Sequence, residues 1–275
     1  METLQSMSCK RCGSQNVTKF GSYVTRGQRV QRFKCKACLK TFTKRTFSKN
    51  YRMRKQRLAP MITQLYCEGM SQRAIARVLK VNVKTVEKYF IRESHEACKK
   101  NLKDLDEGLI QTSYVQCDEV QTFEHSHKRP LGIQLAIRPK DSTIVSIKVC
   151  RIPMNAVRAS RAEKDAYAKI SNRTQKKTEL ALDLEKALTG QKRVQSDGKY
   201  FSREIINKVV SGVDYQSSPH RQNPLWRLDK AVLMMRQNVS RLRRSTLATT
   251  KRIERLQNHL DLYLQYHNEL KLSRK

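Results

Sequence analysis

The chain has 275 residues, with 57 Lys and Arg against 24 Asp and Glu and a formal net charge of +33. Although only 38% of its residues are hydrophobic, apolar clusters at residues 114–120 and 131–137 stay intact, which argues against wholesale disorder. No apolar run approaches the roughly 18–20 residues a membrane span needs, residues 1–10 carry no signal-peptide core, and so large an excess of cations calls for a polyanionic partner, nucleic acid first. The charge is uneven: residues 1–100 hold 24 Lys and Arg against 5 Asp and Glu. A DNA-reading surface is therefore expected in the first third.

Two tight cysteine pairs open the chain, Cys9 with Cys12 and Cys35 with Cys38, separated by 22 residues. Each C-x2-C turn points two thiolates at one ion, and two such turns complete a tetrahedral S4 shell for Zn2+. Val30, Arg32, Phe33 and Lys34 read as a β-ribbon between the pairs, with Phe33 and Phe42 as its thin apolar cover. So little apolar material leaves most of the folding energy to the metal. A redox C-x-x-C or a pair of disulfides is the competing reading, disfavoured in the reducing compartment expected of a chain without an export signal. Cys67, Cys98, Cys117 and Cys150 have no such spacing and read as ordinary buried thiols.

After a basic linker, Pro60 opens a helix with Ile62, Leu65 and Tyr66 on one face. Ser71 is a good N-cap for a second helix over 72–79, with Ala74, Ile75 and Val78 at core spacing. A turn at 80–82 leads to a third helix over 83–91, with Val86 and Phe90 inward. Three short helices with a tight turn describe a DNA-binding helix-turn-helix whose reading face would carry Asn82, Lys84, Thr85, Glu87 and Lys88. A plain three-helix bundle with a solvated basic face is the alternative.

Residues 93–108 read as a charged helical connector. Strands follow at 114–120, 131–138 and 143–149, then a helical stretch over about 156–188 and a short fourth strand at 193–196. In a mixed sheet ordered 3-2-1-4, Asp118 on the first strand and Asp197 just after the fourth become neighbours, while strand alternation sends Glu119 to the other face. Paired carboxylates in so cationic a chain repel each other unless a divalent ion neutralises them. Helical candidates for a third acid are Glu204, Asp214, Asp229 and Glu254, of which Asp229 opens a long helical pattern from Trp226 to Arg243. Without a metal, Asp118 is a strand-end acid and Asp197-Gly198 an ordinary turn. Trp226, the single tryptophan, is expected in the core, with stacking on a DNA base as the alternative. A final helix carries Ile253, Leu256, Leu260, Tyr263, His267 and Leu270 as a stripe that packs within the chain or pairs two subunits.

These segments in this order resemble the insertion-sequence-one family of DDE transposases, in which a zinc-finger and helix-turn-helix part is joined to a catalytic part. The resemblance rests on Cys9, Cys12, Cys35 and Cys38, on residues 70–77, on Cys117-Asp118-Glu119, on Ser196-Asp197-Gly198 and on residues 233–245. It implies an α/β RNase H-like catalytic domain preceded by a zinc ribbon and a helix-turn-helix, with Mg2+ or Mn2+ as cofactor besides Zn2+. It further implies cleavage and strand transfer at transposon ends, double-stranded DNA as partner (terminal inverted repeats and target), a homo-oligomer on DNA, and a prokaryotic, nucleoid-associated cytoplasmic location.

Carried over by position, Asp118 and Asp197 match the first two catalytic acids. Asp229 stands where the family has a Glu, one methylene longer. Asp118 would bridge two ions, with Asp197 and Asp229 each holding one. Lys199, Arg236, Arg241, Arg243 and Arg244 would clamp phosphates, beside Lys84, Thr85 and Lys88 in the helix-turn-helix. The expected domains are a zinc ribbon over 1–46, a helix-turn-helix over 47–100, a linker over 101–112 and a catalytic domain over 113–275. Within the last, a helical insertion at about 154–190 is longer than the family leads one to expect. The alternative is a DNA-binding repressor of transposition whose catalytic domain is inactive.

Overall fold

A computed structural model describes residues 8–9, 11–25, 27–47, 53, 55–154, 160–198, 203–218, 225–243 and 250–272. The chain forms two compact units, Met1–Leu58 and Ala59–Lys275.

The first unit is a three-stranded antiparallel sheet of β1 (Val17–Thr25), β2 (Gln28–Cys35) and β3 (Thr41–Thr43), in that order. Gly27, at φ +74, supplies the left-handed residue that the β1–β2 turn needs. Its core is Cys9, Phe33, Cys35 and Phe42, with the two phenylalanine rings stacked at 5.9 Å. Two aromatic rings and a pair of cysteines are too little apolar surface to hold a sheet of this size unaided.

The second unit begins with three helices, α1 (Leu58–Cys67), α2 (Gln72–Val78) and α3 (Val83–Asp106). Ser71 caps α2, its hydroxyl accepting from the Ala74 amide, and Asn82 caps α3 by accepting from Lys84 at 2.8 Å. Ile75 and Ala76 are buried, but Val78 is 60% exposed and no part of the core. The third helix does not stop at residue 91. It runs on to Asp106, because Ser94, Ala97, Asn101 and Leu105 continue the buried face that Val86 and Phe90 begin.

A five-stranded mixed sheet follows, built from β4 (Thr112–Phe123), β5 (Pro130–Arg138), β6 (Thr143–Arg151), β7 (Leu188–Ser196) and β8 (Asp214–Ser217). Its order is β6-β5-β4-β7-β8, antiparallel across the first three strands and parallel from β4 to β8. The expected order of four strands is present, with β8 added at one edge. The fourth strand starts at Leu188, five residues earlier than its apolar pattern suggests. The expected long helical stretch is two helices among the described residues, α4 (Arg161–Lys169) and α5 (Arg173–Ala187). Leu180, Ala181 and Leu184 of α5 cover Val115 and Cys117 of β4, Val145 of β6 and Val194 of β7, a shared core that also takes Ile206 of α6 (Arg203–Val209).

Helices α7 (Trp226–Asn238) and α8 (Ile253–Leu272) complete the unit. Ile253, Leu256, Leu260 and Tyr263 are buried within the chain, whereas Leu270, the end of the expected stripe, is 40% exposed. On one side α8 packs along α3, where Asn101 Nδ2 donates to the Asp261 carbonyl and the buried His259 ring meets Phe90 and Tyr66 edge-on. On the other it lies along β6, the outermost strand. Gln257 Oε1 accepts from Val149 N–H at 2.8 Å and its Nε2 donates to Ile147 O at 3.1 Å. Three helical turns on, Asn268 does the same for both backbone groups of Ile144. Two side-chain amides thus do for this edge what a further strand would do. Among the described residues no helix is long and apolar enough to cross a membrane.

Candidate metal centre and carboxylate site

The C-x2-C turns of the first unit converge. Cys9 Sγ lies 3.8 Å from Cys38 Sγ and Cys12 Sγ lies 3.5 Å from Cys35 Sγ, and all four sulphurs fall within 4.8 Å of one another. A tetrahedron with metal–sulphur bonds of about 2.3 Å has edges of about 3.8 Å, so the donor set fits an ion such as zinc. All eight cysteines are free of disulfides. Backbone donation within the turns favours thiolates: the amides of Arg11 and Cys12 lower the Cys9 thiol, and that of Cys38 takes Cys35 down to about 6. A backbone donor from Ser14 pulls Cys12 the same way, but crowding by Cys35 and the other thiols pushes it up to about 12. Sulphurs packed this closely without a cation hold on to a proton, which a metal would displace.

In the second unit the parallel register of β4 and β7 sets Cys117 opposite Ser196. The next residue on each chain is an aspartate, Asp118 and Asp197. The face they share is fixed two residues earlier, where Gln116 Nε2 donates to Gln195 Oε1 at 3.0 Å. Helix α7 brings Asp229, in its first turn, towards the same place. The Asp118 carboxyl is pushed up to about 6, chiefly by burial. The Glu119 amide, donating to it at 2.6 Å, opposes that shift, and the negative fields of Asp197, Asp229 and Glu119 add to it. A buried acid with two further acids in electrostatic reach is a donor set for a hard divalent cation. Among the described residues, though, only the four thiols gather with all their ligand atoms within 4.8 Å; the aspartates are spread more widely.

The remaining acids stand elsewhere. Asp214 is on a strand, not a helix. It begins β8 opposite Arg193, at the end of the sheet away from Asp197, and pairs with that arginine at 3.5 Å. Glu204 on α6 and Glu254 on α8 are exposed.

Sequence reading missed the cations behind the site. The side chain of Glu119, on the opposite face of β4 from Asp118, is wholly buried. Arg173 Nε, at the first residue of α5, donates to it at 2.8 Å. One turn on, Lys177 is buried too, in the fields of Glu119 and Asp197, and burial lowers its ammonium pKa. The only signal was a pair of cations four apart on a helix whose next turn is apolar. Replacing Arg173 by Met is expected to cost about 3–5 kcal/mol in urea denaturation, because it strands a buried carboxylate. The Glu119→Gln, Arg173→Met double variant should recover much of the loss, and strictly additive costs would refute the pairing.

Among the residues expected to touch DNA, Lys84 and Lys88 are exposed on α3 and Thr85 is half-buried. Glu87 is engaged by Arg255 Nη2 at 3.2 Å. Arg236 is half-buried in the last turn of α7. Arg241, also half-buried, sits in the fields of Tyr66, Arg255 and Glu87, and burial disfavours its charge. Arg243 is exposed, donates to the Gln237 carbonyl at 2.9 Å, and rests on Gly69, whose φ of +79 and lack of Cβ make room for it. Lys199 and Arg244 lie outside the described residues. Trp226, expected in the core, is instead 52% exposed. No protein-family model and no curated protein matches the chain, so the chemistry of the site rests on its own geometry.

Proposed function

We propose that this protein is a DDE-type transposase that binds the ends of an insertion sequence and cleaves and joins DNA strands with a divalent metal. In this reading the second unit is an RNase H-like catalytic fold, α1 to α3 are a helix-turn-helix with Lys84, Thr85 and Lys88 towards DNA, and the first unit is a zinc ribbon. The observation that carries it is that Asp197, the residue after β7, and Asp229, in the first turn of α7, both act electrostatically on the buried Asp118 of the neighbouring parallel strand β4, whose carboxyl is raised to about 6 by burial and by these acids. A divalent ion bound there would supply an activated water or 3′-hydroxyl nucleophile and would neutralise charge on the departing oxygen.

The chain's own side chains supply the rest. Asp118 and Asp229 hold position on a strand and a helix, Asp197 follows directly on β7, and Arg173 keeps Glu119 from adding a further free negative charge beside them. Lys84 and Lys88 favour the phosphate backbone. The wider spacing of the aspartates favours a second reading, a DNA-binding repressor with an inactive catalytic fold.

Strand cleavage of a labelled duplex carrying the element's end separates the two. Cleavage with Mg2+ that is lost in Asp229→Ala, with DNA binding unchanged, is the expected result. Cleavage that survives in the variant removes Asp229 from the site. Binding without cleavage by the unmodified protein leaves the repressor.

A further inference from the structure

Helix α7 buries Leu228, Ala231, Val232 and Met235 and turns the opposite face outward. That outer face carries Trp226, Lys230, Leu233 and Gln237 at helical spacing, with Trp226 52% and Leu233 64% exposed and Met234 beside them. Asp229 and Arg236, seven residues apart, run along one flank of the same stripe. A large aromatic side chain therefore stands in solvent one helical turn before an acid of the carboxylate site. The ring is held in place: the Arg227 guanidinium lies 5.2 Å from its centroid and is itself anchored by donating to the carbonyls of Pro139 and Lys140.

We propose that Trp226 is a stacking platform for an unpaired nucleobase of the DNA at this site, a role that deepens the transposase reading and rests on it. The occupant follows from chemistry. The stripe is apolar but interrupted by Lys230 and flanked by Arg227 and Arg236, which outnumber Asp229, on a chain of net charge +33, so its ligand has a flat apolar face and a negative backbone. A base inside a duplex is already stacked on both sides, and only one that is frayed, unpaired or swung out offers a free face. A second copy of the chain fits less well, since a stable dimer buries about 800 Å² per partner and this stripe offers three apolar side chains broken by a lysine.

Because Trp226 is the only tryptophan, its emission in the full-length protein reads the site directly. The probes are a fluorescein-labelled 30-base-pair duplex with three unpaired nucleotides at one end and its fully paired counterpart, in buffer without Mg2+. Tryptophan emission should be quenched as anisotropy reports binding of the unpaired end, and much less by the paired duplex. Trp226→Ala should weaken binding of the unpaired end about 10-fold or more while sparing the paired duplex, and Trp226→Phe should keep most of the affinity.

Bound DNA with unchanged emission, no binding at all, or equal weakening on both duplexes overturns the proposal. An emission change that follows protein concentration without DNA gives the stripe to a second copy and overturns it as well. Quenching without any cleavage when Mg2+ is added removes the transposase reading and leaves the stacking site standing. Cleavage without quenching does the reverse.

Discussion

Stripping the metal with a chelator, or replacing Cys35 by Ser, is expected to unfold residues 1–58 and leave residues 59–275 folded. Structural zinc contributes on the order of 10–16 kcal/mol of apparent folding energy in modules of this kind, whereas the first unit has a core of only Cys9, Phe33, Cys35 and Phe42. Two of those four core residues are themselves ligands, so losing the ion removes packing and coordination together. The second unit shares none of that core and has its own, running from Leu105 to Val210. Limited proteolysis, read by mass spectrometry before and after chelation, should show new cleavages confined to the first unit. Protection of residues 1–58 that survives chelation would mean that the cluster does not hold the fold.

A second large effect is expected at Asp118. The carboxyl sits at about 6 in the folded chain against an ordinary value of 3.8, so the folded state binds the proton more tightly than the unfolded one. The stability this gives is fully present below about pH 4 and is lost as pH rises through 6. Above that, an ionised Asp118 costs the metal-free protein up to about 3 kcal/mol. At pH 8 without Mg2+, Asp118→Asn should therefore be the more stable protein, by roughly 2–3 kcal/mol in urea denaturation, with the advantage vanishing near pH 4. Adding Mg2+ should raise the stability of the unsubstituted chain and leave the variant unmoved. In the proposed reading the variant also binds DNA and does not cleave it. A variant no more stable than its parent at pH 8 would show that burial does not penalise the ionised Asp118 carboxylate.

The legible parts were those whose physics is local. The Ser71 cap, the cysteine pairs and the apolar runs behind β4, β5 and β6 all announce themselves within a few residues, whereas Asn82, expected on the reading face, also caps α3. The order of four strands is the one in which Asp118 and Asp197 become neighbours, and the sheet has it. What escaped has a physical reason in each case. Strand β8, Asp-Tyr-Gln-Ser, is a short edge strand with polar side chains and so has no apolar pattern to read. Asp214, a helical candidate by its sequence, therefore turns out to open that strand.

Large apolar residues usually go to the core, but burial is a one-way rule that does not place any single side chain, and Trp226 and Val78 stand exposed. The pairing of Glu119 with Arg173 joins residues 54 apart through the packing of a helix on a sheet, which no local pattern encodes. The convergence of Asp229 on Asp118 has the same character. The spacing made it a candidate, and only the fold brings the two carboxylates within reach.

The place of α8 has a consequence for the order in which the chain can acquire its shape. Helices α1 and α3 take Leu262, His259 and the Asp261 carbonyl as neighbours, and strand β6 takes Gln257 and Asn268, all from residues synthesised 100 to 200 positions later. During translation the early helices and the β6 edge therefore stay unfinished until residues 253–272 have left the ribosome. Contacts of such long sequence separation make folding slow and cooperative. A nascent or truncated chain lacking α8 lacks the packing that steadies α1 and α3. The front helices and the sheet edge thus mature together, once residues 253–272 are available.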